Sequence, residues 1–164
     1  MTILRENTKA PDFTLTDQEG KTHKFSDYKG KWILLYFYPK DDTPGCTKEA
    51  CAIRDSWAGF AKRGAVVLGV STDSVKSHEK FSQKYKLSFT ILSDENKEVV
   101  KKYGVCGEMK FIGRIFQGTK RVSFLISPAL RIAKVYEKVK PTIHAEQVLS
   151  DLDQFQYKQY PRII

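Results

Sequence analysis

The residues best equipped for chemistry fall in one short run, Pro39-Lys40-Asp41-Asp42-Thr43-Pro44-Gly45-Cys46-Thr47-Lys48-Glu49-Ala50-Cys51, which holds two of the chain's three cysteines. Thr43 is a good helix-capping residue and Pro44 suits the first helical position, so Gly45 and Cys46 are expected in a first turn, where backbone N–H groups lack intrahelical partners. Those amides and the positive end of the helix dipole favour the thiolate, the nucleophilic form of cysteine. The chemistry expected here is sulfur chemistry. On an ideal helix Cys46 and Cys51 are about 7.5 Å apart along the axis and about 140° apart around it. Their Cα atoms are then roughly 8 to 9 Å apart, beyond the ~7 Å that a disulfide spans. A bond between them requires the first turns of the helix to unwind; otherwise they are two small apolar side chains that never meet.

The elements that must position this run can be read on either side of it. Trp32 to Tyr38 is apolar on both faces, as in a central strand sandwiched between helices, and the run leaves its C-terminal end. That is the edge of an α/β sheet where sites are built. An amphipathic helix follows from Thr47 to Lys62, with Ala50, Ile53, Trp57, Phe60 and Ala61 on its apolar side. Ala65 to Ser71 is a second buried strand, expected to run parallel to the first. A helix follows through Val75, Phe81 and Tyr85, then a short strand Phe89 to Leu92 and a helix Asn96 to Tyr103 closed by Gly104. Upstream, Ala10 to Thr16 and Thr22 to Phe25 alternate around a turn, a hairpin covering one end of the domain. From Val105 to Lys120 the periodicity fades, and Gly107, Gly113 and Gly118 suggest an ordered loop over the site. Arg121 to Ile126 and Arg131 to Tyr136 form an antiparallel hairpin, and a helix with Val148, Leu149, Leu152 and Phe155 inward closes the chain. The expected fold is a central mixed sheet flanked by helices, in one domain over 1–164.

The totals agree with that size. The chain has 164 residues, 41% of them hydrophobic, enough for one core. No run approaches a membrane span, and the first residues lack the pattern of a secretory signal, so the expected location is the cytoplasm. An odd cysteine count fits a redox set in a reducing compartment better than a disulfide framework. The formal net charge of +9 raises nucleic acid as a partner, but the basic residues stand singly or in pairs among acids, without a basic run. They read as a solvated surface. His23, His78 and His144 are scattered without paired-ligand spacing, so no zinc site or other metal is expected, and no cofactor; His78 and His144 read as helix-surface residues.

Pro39-x-x-x-Thr43-x-x-Cys46 at a strand end, with Cys51 following and Arg121 opening a late strand, resembles the active-site pattern of the peroxiredoxins. The string Tyr38 to Asp55 is most similar to the bacterioferritin comigratory protein or peroxiredoxin Q branch, and the likeness extends to Ala10-Pro11-Asp12-Phe13, Gly69-Val70-Ser71, Leu92-Ser93-Asp94 and Tyr103-Gly104-Val105. The resemblance implies a thioredoxin-like fold and reduction of hydrogen peroxide or alkyl hydroperoxides. It implies that Cys46 is the peroxidatic cysteine, oxidised to a sulfenic acid, and that Cys51 resolves it to an intramolecular disulfide reduced by a thioredoxin-type dithiol. Arg121 would hold thiolate and peroxide with its charged fork, Thr43 would exchange hydrogen bonds with them, and Pro39, lacking an N–H, would shape the pocket. A monomer, or at most a weak dimer, is expected.

Two positions depart from the family pattern. Cys106 stands where tryptophan is common and reads either as a small buried thiol or as an auxiliary thiol competing with Cys51. Ser127-Pro128-Ala129-Leu130 replaces the usual Asp and Gly turn. Glu49 could accept a helix-start N–H, orient a nearby basic group or be a solvated helix carboxylate. A competing reading keeps the sulfur chemistry but makes it a redox switch for a binding partner; a disulfide reductase is disfavoured because no Cys-x-x-Cys pair is present.

Overall fold

The computed structural model describes residues 2–159. The elements are β1 (Thr14–Asp17), β2 (Thr22–Lys24), a 3-10 turn (Phe25–Tyr28), β3 (Trp32–Phe37), α1 (Pro44–Asp55), α2 (Trp57–Lys62), β4 (Ala65–Ser71) and α3 (Val75–Tyr85). They continue as β5 (Thr90–Ser93), α4 (Glu98–Lys102), β6 (Cys106–Phe111), β7 (Arg114–Thr119), β8 (Val122–Ile126), β9 (Ile132–Tyr136) and α5 (His144–Gln159).

β3 is the axis of the molecule. All six of its residues are buried, because it is paired on both edges and covered on both faces. It runs parallel to β4 and antiparallel to β8 in a seven-stranded mixed sheet of order β2-β1-β5-β4-β3-β8-β9. Side chains alternate across a strand, so Trp32, Leu34 and Tyr36 enter one core with Ala50 and Ile53 of α1, Phe81 of α3 and Val148 and Leu152 of α5. Ile33, Leu35 and Phe37 enter the other, with Val99 and Val100 of α4. This is the thioredoxin-like arrangement expected, a mixed sheet with helices on both faces.

The expected N-terminal hairpin is present as β1 and β2, and it extends the sheet through antiparallel pairing of β1 with β5. Four local expectations are corrected. The first helix starts at Pro44, as its lead-in predicts, but stops at Asp55 and does not run to Lys62: the Ser56 N–H, at φ −98° and ψ 6°, donates to both the Ala52 and Ile53 carbonyls, and α2 restarts at Trp57. Serine competes for backbone bonds and favours such breaks. The short strand begins at Thr90, and the helix after it spans only Glu98–Lys102. The stretch read as a loop over the site is an antiparallel hairpin, β6 with β7, turned by Ile112 and Gly113 at φ 47° and 72°, the positive values a two-residue hairpin turn requires. Its outward Ile112, Ile115 and Phe116 are exposed, so no buried face imposed an alternating pattern on the sequence. Among the described residues no helix is long and apolar enough to cross a membrane.

Candidate active site

The chain leaves the sheet after Phe37, with Tyr38 still donating its N–H to Val70 of β4 at 3.1 Å. Pro39 is half-buried there and, as proline, offers no donor to continue the ladder. Thr43 occupies the N-cap in extended conformation, Pro44 follows, and Thr47 N–H reaches the Thr43 carbonyl at 2.8 Å. The Thr43 hydroxyl does not cap the helix; it donates back to the Lys40 carbonyl at 2.8 Å. Its side chain thus closes the loop, and its oxygen lone pairs remain for other donors.

Cys46 lies in the first turn of α1, the position expected of it, and is 2% exposed. Its partner comes from far along the chain. The antiparallel register of β3 and β8 pairs Phe37 with Val122, so the residue before Val122 stands level with the start of the site loop. Ser123 and Leu125 point to the α1 face of the sheet (Leu125 lies in its core), and alternation sends Arg121 the same way. Arg121 Nη2 donates to Cys46 Sγ at 3.4 Å, and Nη1 donates to Glu49 Oε1 at 2.9 Å. One planar fork therefore bridges two residues of α1 that are three apart and share a helix face.

Glu49 is fully buried. Burial pushes its carboxyl up to about 7, the Arg121 charge and hydrogen bond opposing that rise. Burial also works against the Arg121 charge, but attraction to Cys46 and Glu49 more than offsets it and lifts the guanidinium above its usual value. Tyr36, buried beneath the same helix, holds its phenol well above the usual range through burial first and the neighbouring Glu49 second. The open question over Glu49 is thus answered geometrically: it is a buried partner of Arg121 and not a solvated carboxylate.

The structure brings together Cys46, Glu49 and Arg121. Cys51 sits five residues on in the intact α1, half-buried, and both thiols are free. Cys106 is half-exposed and packs at the margin of the α4-side core, so the expectation of a buried thiol is corrected, and the sheet separates it from Cys46. His78 and His144 are fully buried, against the surface reading. His144 Nε2 lies 2.8 Å from the Ser123 hydroxyl, and burial lowers its pKa to about 4. His78 lies against Asp41 and the Leu92 carbonyl. Local periodicity missed both because each is satisfied by a partner distant in sequence. Among the described residues, Asp41, Asp73 and His78 are close enough to share an ion, but hydrogen bonds within the protein already occupy their facing atoms.

Residues 7–135 match the model of the AhpC/TSA family. A Bcp peroxiredoxin of Coxiella burnetii is 50% identical over 144 residues, 88% of this chain and 95% of that protein. The solved structure of Xylella fastidiosa PrxQ superimposes with a TM-score of 0.89 at 34% identity, covering 95% of this chain and 99% of that one. The Xanthomonas campestris bacterioferritin comigratory protein, solved for its alkyl peroxide reduction activity, gives a TM-score of 0.82 at 36% identity over 87% of this chain and 91% of its own.

Proposed function

The chain belongs to the AhpC/TSA family as a peroxiredoxin of the Bcp or peroxiredoxin Q type, and from that premise we propose that it reduces hydroperoxides with Cys46 as nucleophile and Cys51 as resolving cysteine. The Cys46 thiolate attacks the terminal peroxide oxygen. An S–O bond forms, the O–O bond breaks, and the leaving oxygen departs as water or alcohol after taking a proton, leaving a sulfenic acid. Arg121 meets the negative charge that spreads from sulfur to the leaving oxygen with donors already in place, which is where a fixed guanidinium contributes most. Thr43, with its proton committed to Lys40, is free to accept a hydrogen bond from the peroxide. Pro39 excludes a competing backbone donor from the same wall. The Cys51 thiolate then attacks the sulfenic sulfur, an S–S bond forms and water leaves. α1 must unwind for that step, because a helix holds the two Cα atoms roughly 8 to 9 Å apart.

The observation that carries this reading is the single guanidinium bridging Cys46 Sγ and buried Glu49. The alkyl peroxide activity named for the Xanthomonas relative extends to this chain as organic hydroperoxide reduction beside hydrogen peroxide. Thioredoxin or a similar dithiol recycles the disulfide, in the cytoplasm, with the chain acting as a monomer. A peptide-mass map after one equivalent of peroxide tests the assignment: a Cys46–Cys51 linkage is expected, and a Cys46–Cys106 linkage would displace Cys51. Coupled turnover with thioredoxin, thioredoxin reductase and NADPH should disappear in Cys46→Ser. Stoichiometric oxidation without turnover would leave only a redox switch.

A further inference from the structure

We propose that Asp41 and His78 form a positioning pair that sets the loop ahead of Cys46 and thereby the rate at which Cys46 is oxidised. Asp41 is nearly buried and His78 fully so. His78 Nε2 lies 2.9 Å from the Leu92 carbonyl, which can only accept, so Nε2 carries a proton. Nδ1 faces Asp41 Oδ2 at 2.6 Å. A neutral ring protonated at Nε2 has only a lone pair at Nδ1, so this contact holds one further proton, on the ring or on the carboxyl.

Asp41 is held from three sides, its carboxyl by Tyr38 and α3 and its backbone N–H by the segment after β4. The Tyr38 hydroxyl, at the end of β3, donates to Oδ1 at 2.7 Å. The Ser77 hydroxyl of α3 donates to Oδ2 at 2.8 Å. The Asp41 N–H donates to Asp73 Oδ2 at 2.8 Å, and that oxygen also accepts from the Ser71 hydroxyl at the end of β4. Asp42 then turns the chain at φ 55°, a left-handed conformation that a non-glycine residue keeps only when its surroundings hold it. Its carboxylate is held by Lys84 Nζ and the Tyr85 hydroxyl, both on α3. The next residue is Thr43, the cap of the helix that carries Cys46.

The path from pair to nucleophile is therefore short and covalent. Release of Asp41 lets the left-handed turn relax, shifts Thr43 and the first turn of α1, and takes Cys46 away from Arg121. A displacement of about 1 Å at a reacting centre slows a reaction on the order of a hundredfold. Neither residue touches the sulfur; the pair acts through the loop. A second consequence rests on the Cys51 reading above: with Asp41 fixed to α3, the unwinding that admits Cys51 stops at Thr43 and does not run back into β3.

The test is made in a Cys51→Ser background, so that only the first oxidation is read, by rapid quench and mass analysis of Cys46. Asp41→Ala and His78→Leu are expected to slow the second-order rate at least ~tenfold. Asp41→Asn can still accept from Tyr38 and can donate to the Nδ1 lone pair of a neutral ring, so it should stay within roughly threefold of the parent. Thermal unfolding establishes that each variant is folded at the assay temperature. A role confined to stability lowers the melting temperature and leaves the folded rate alone, so a folded Asp41→Ala chain oxidised at the parent rate overturns the proposal. Should both disruptive variants fail to fold, Tyr38→Phe, which removes one donor only, decides it: slowing of about threefold supports the pair and an unchanged rate overturns it. Failure of the peroxidatic assignment itself is separate, because the parent would then show no oxidation at Cys46.

Discussion

A side chain at Gly45 would place its Cβ 2.8 Å from Nη2 of Arg121, the same guanidinium nitrogen that donates to the sulfur of Cys46 next along the chain. The clash involves the end of a long side chain, which can move; moving it breaks the contacts with Cys46 and Glu49. Gly45→Ala should therefore separate activity from stability. Alanine is the better helix former by up to ~1 kcal/mol, so the melting temperature should hold or rise while peroxide reduction slows by about tenfold or more. A stopped-flow rate at the wild-type level would show that the guanidinium position is not needed.

Arg121→Lys retains a positive charge but replaces the two-pronged fork with a point charge. A lysine cannot donate in-plane to Cys46 and Glu49 together. We expect peroxide reduction to fall about a hundredfold, and alkylation of Cys46 by iodoacetamide to slow, since the thiolate loses its fixed partner. Arg121→Ala goes further and leaves Glu49 buried without its counter-charge, a loss on the order of 3 kcal/mol, relieved in acid as Glu49 takes up a proton. Denaturant unfolding at pH 5 and pH 8 measures that relief.

Glu49 and His144 act oppositely on stability over nearly the same pH range. Glu49 rises on folding from 4.5 to about 7, mainly through burial, so the folded state binds more protons between those values. Its contribution is full below 4.5 and is lost as pH rises through 7. His144 falls from 6.5 to about 4, again mainly through burial, so the unfolded state binds more protons between those values. Its contribution is full above 6.5 and is lost as pH falls through 4. Between pH 5 and 6.5 the two slopes should largely cancel in the wild type. Glu49→Gln should unmask a rise in stability with pH, and His144→Gln a fall, each on the order of 1–3 kcal/mol across the range. Equal slopes in both variants would contradict the assignment.

Cys106→Ser should leave both peroxide reduction and recycling by thioredoxin unchanged, because Cys106 packs on the α4 side of the sheet and Cys46 on the α1 side. Cys51→Ser should leave the first oxidation and block recycling. A recycling defect in Cys106→Ser, measured by NADPH consumption, would reverse the roles of the two thiols.

The sequence by itself determined the local form of the Pro39–Cys51 segment and most of the scaffold. Thr43, Pro44 and Cys46 stand at the N-cap, first helical position and first turn as read, although the Thr43 hydroxyl bonds the Lys40 carbonyl and does not cap the helix. Strands Trp32–Phe37 and Ala65–Ser71 are legible because a strand buried on both faces has no polar residues to disguise it. These features are local, encoded within a few residues of where they act. The hairpin Cys106–Thr119 is not legible because β7 is exposed from Arg114 to Gln117 and none of the described β6 side chains is fully buried, so no apolar alternation marks either strand.

What only the tertiary structure decided is which distant residues meet. Arg121 was singled out by resemblance, but its approach to Cys46 depends on the β3–β8 register that sets Phe37 against Val122. A register one residue different would send it to the opposite face. Glu49, His78 and His144 look like solvated helix residues in any local pattern, and each is buried because a partner elsewhere in the chain satisfies it: Arg121, Asp41 and Ser123. A polar residue can be buried only where its hydrogen bonds are met, and with partners 21 to 72 residues away that condition is written in the fold and not in the neighbouring sequence.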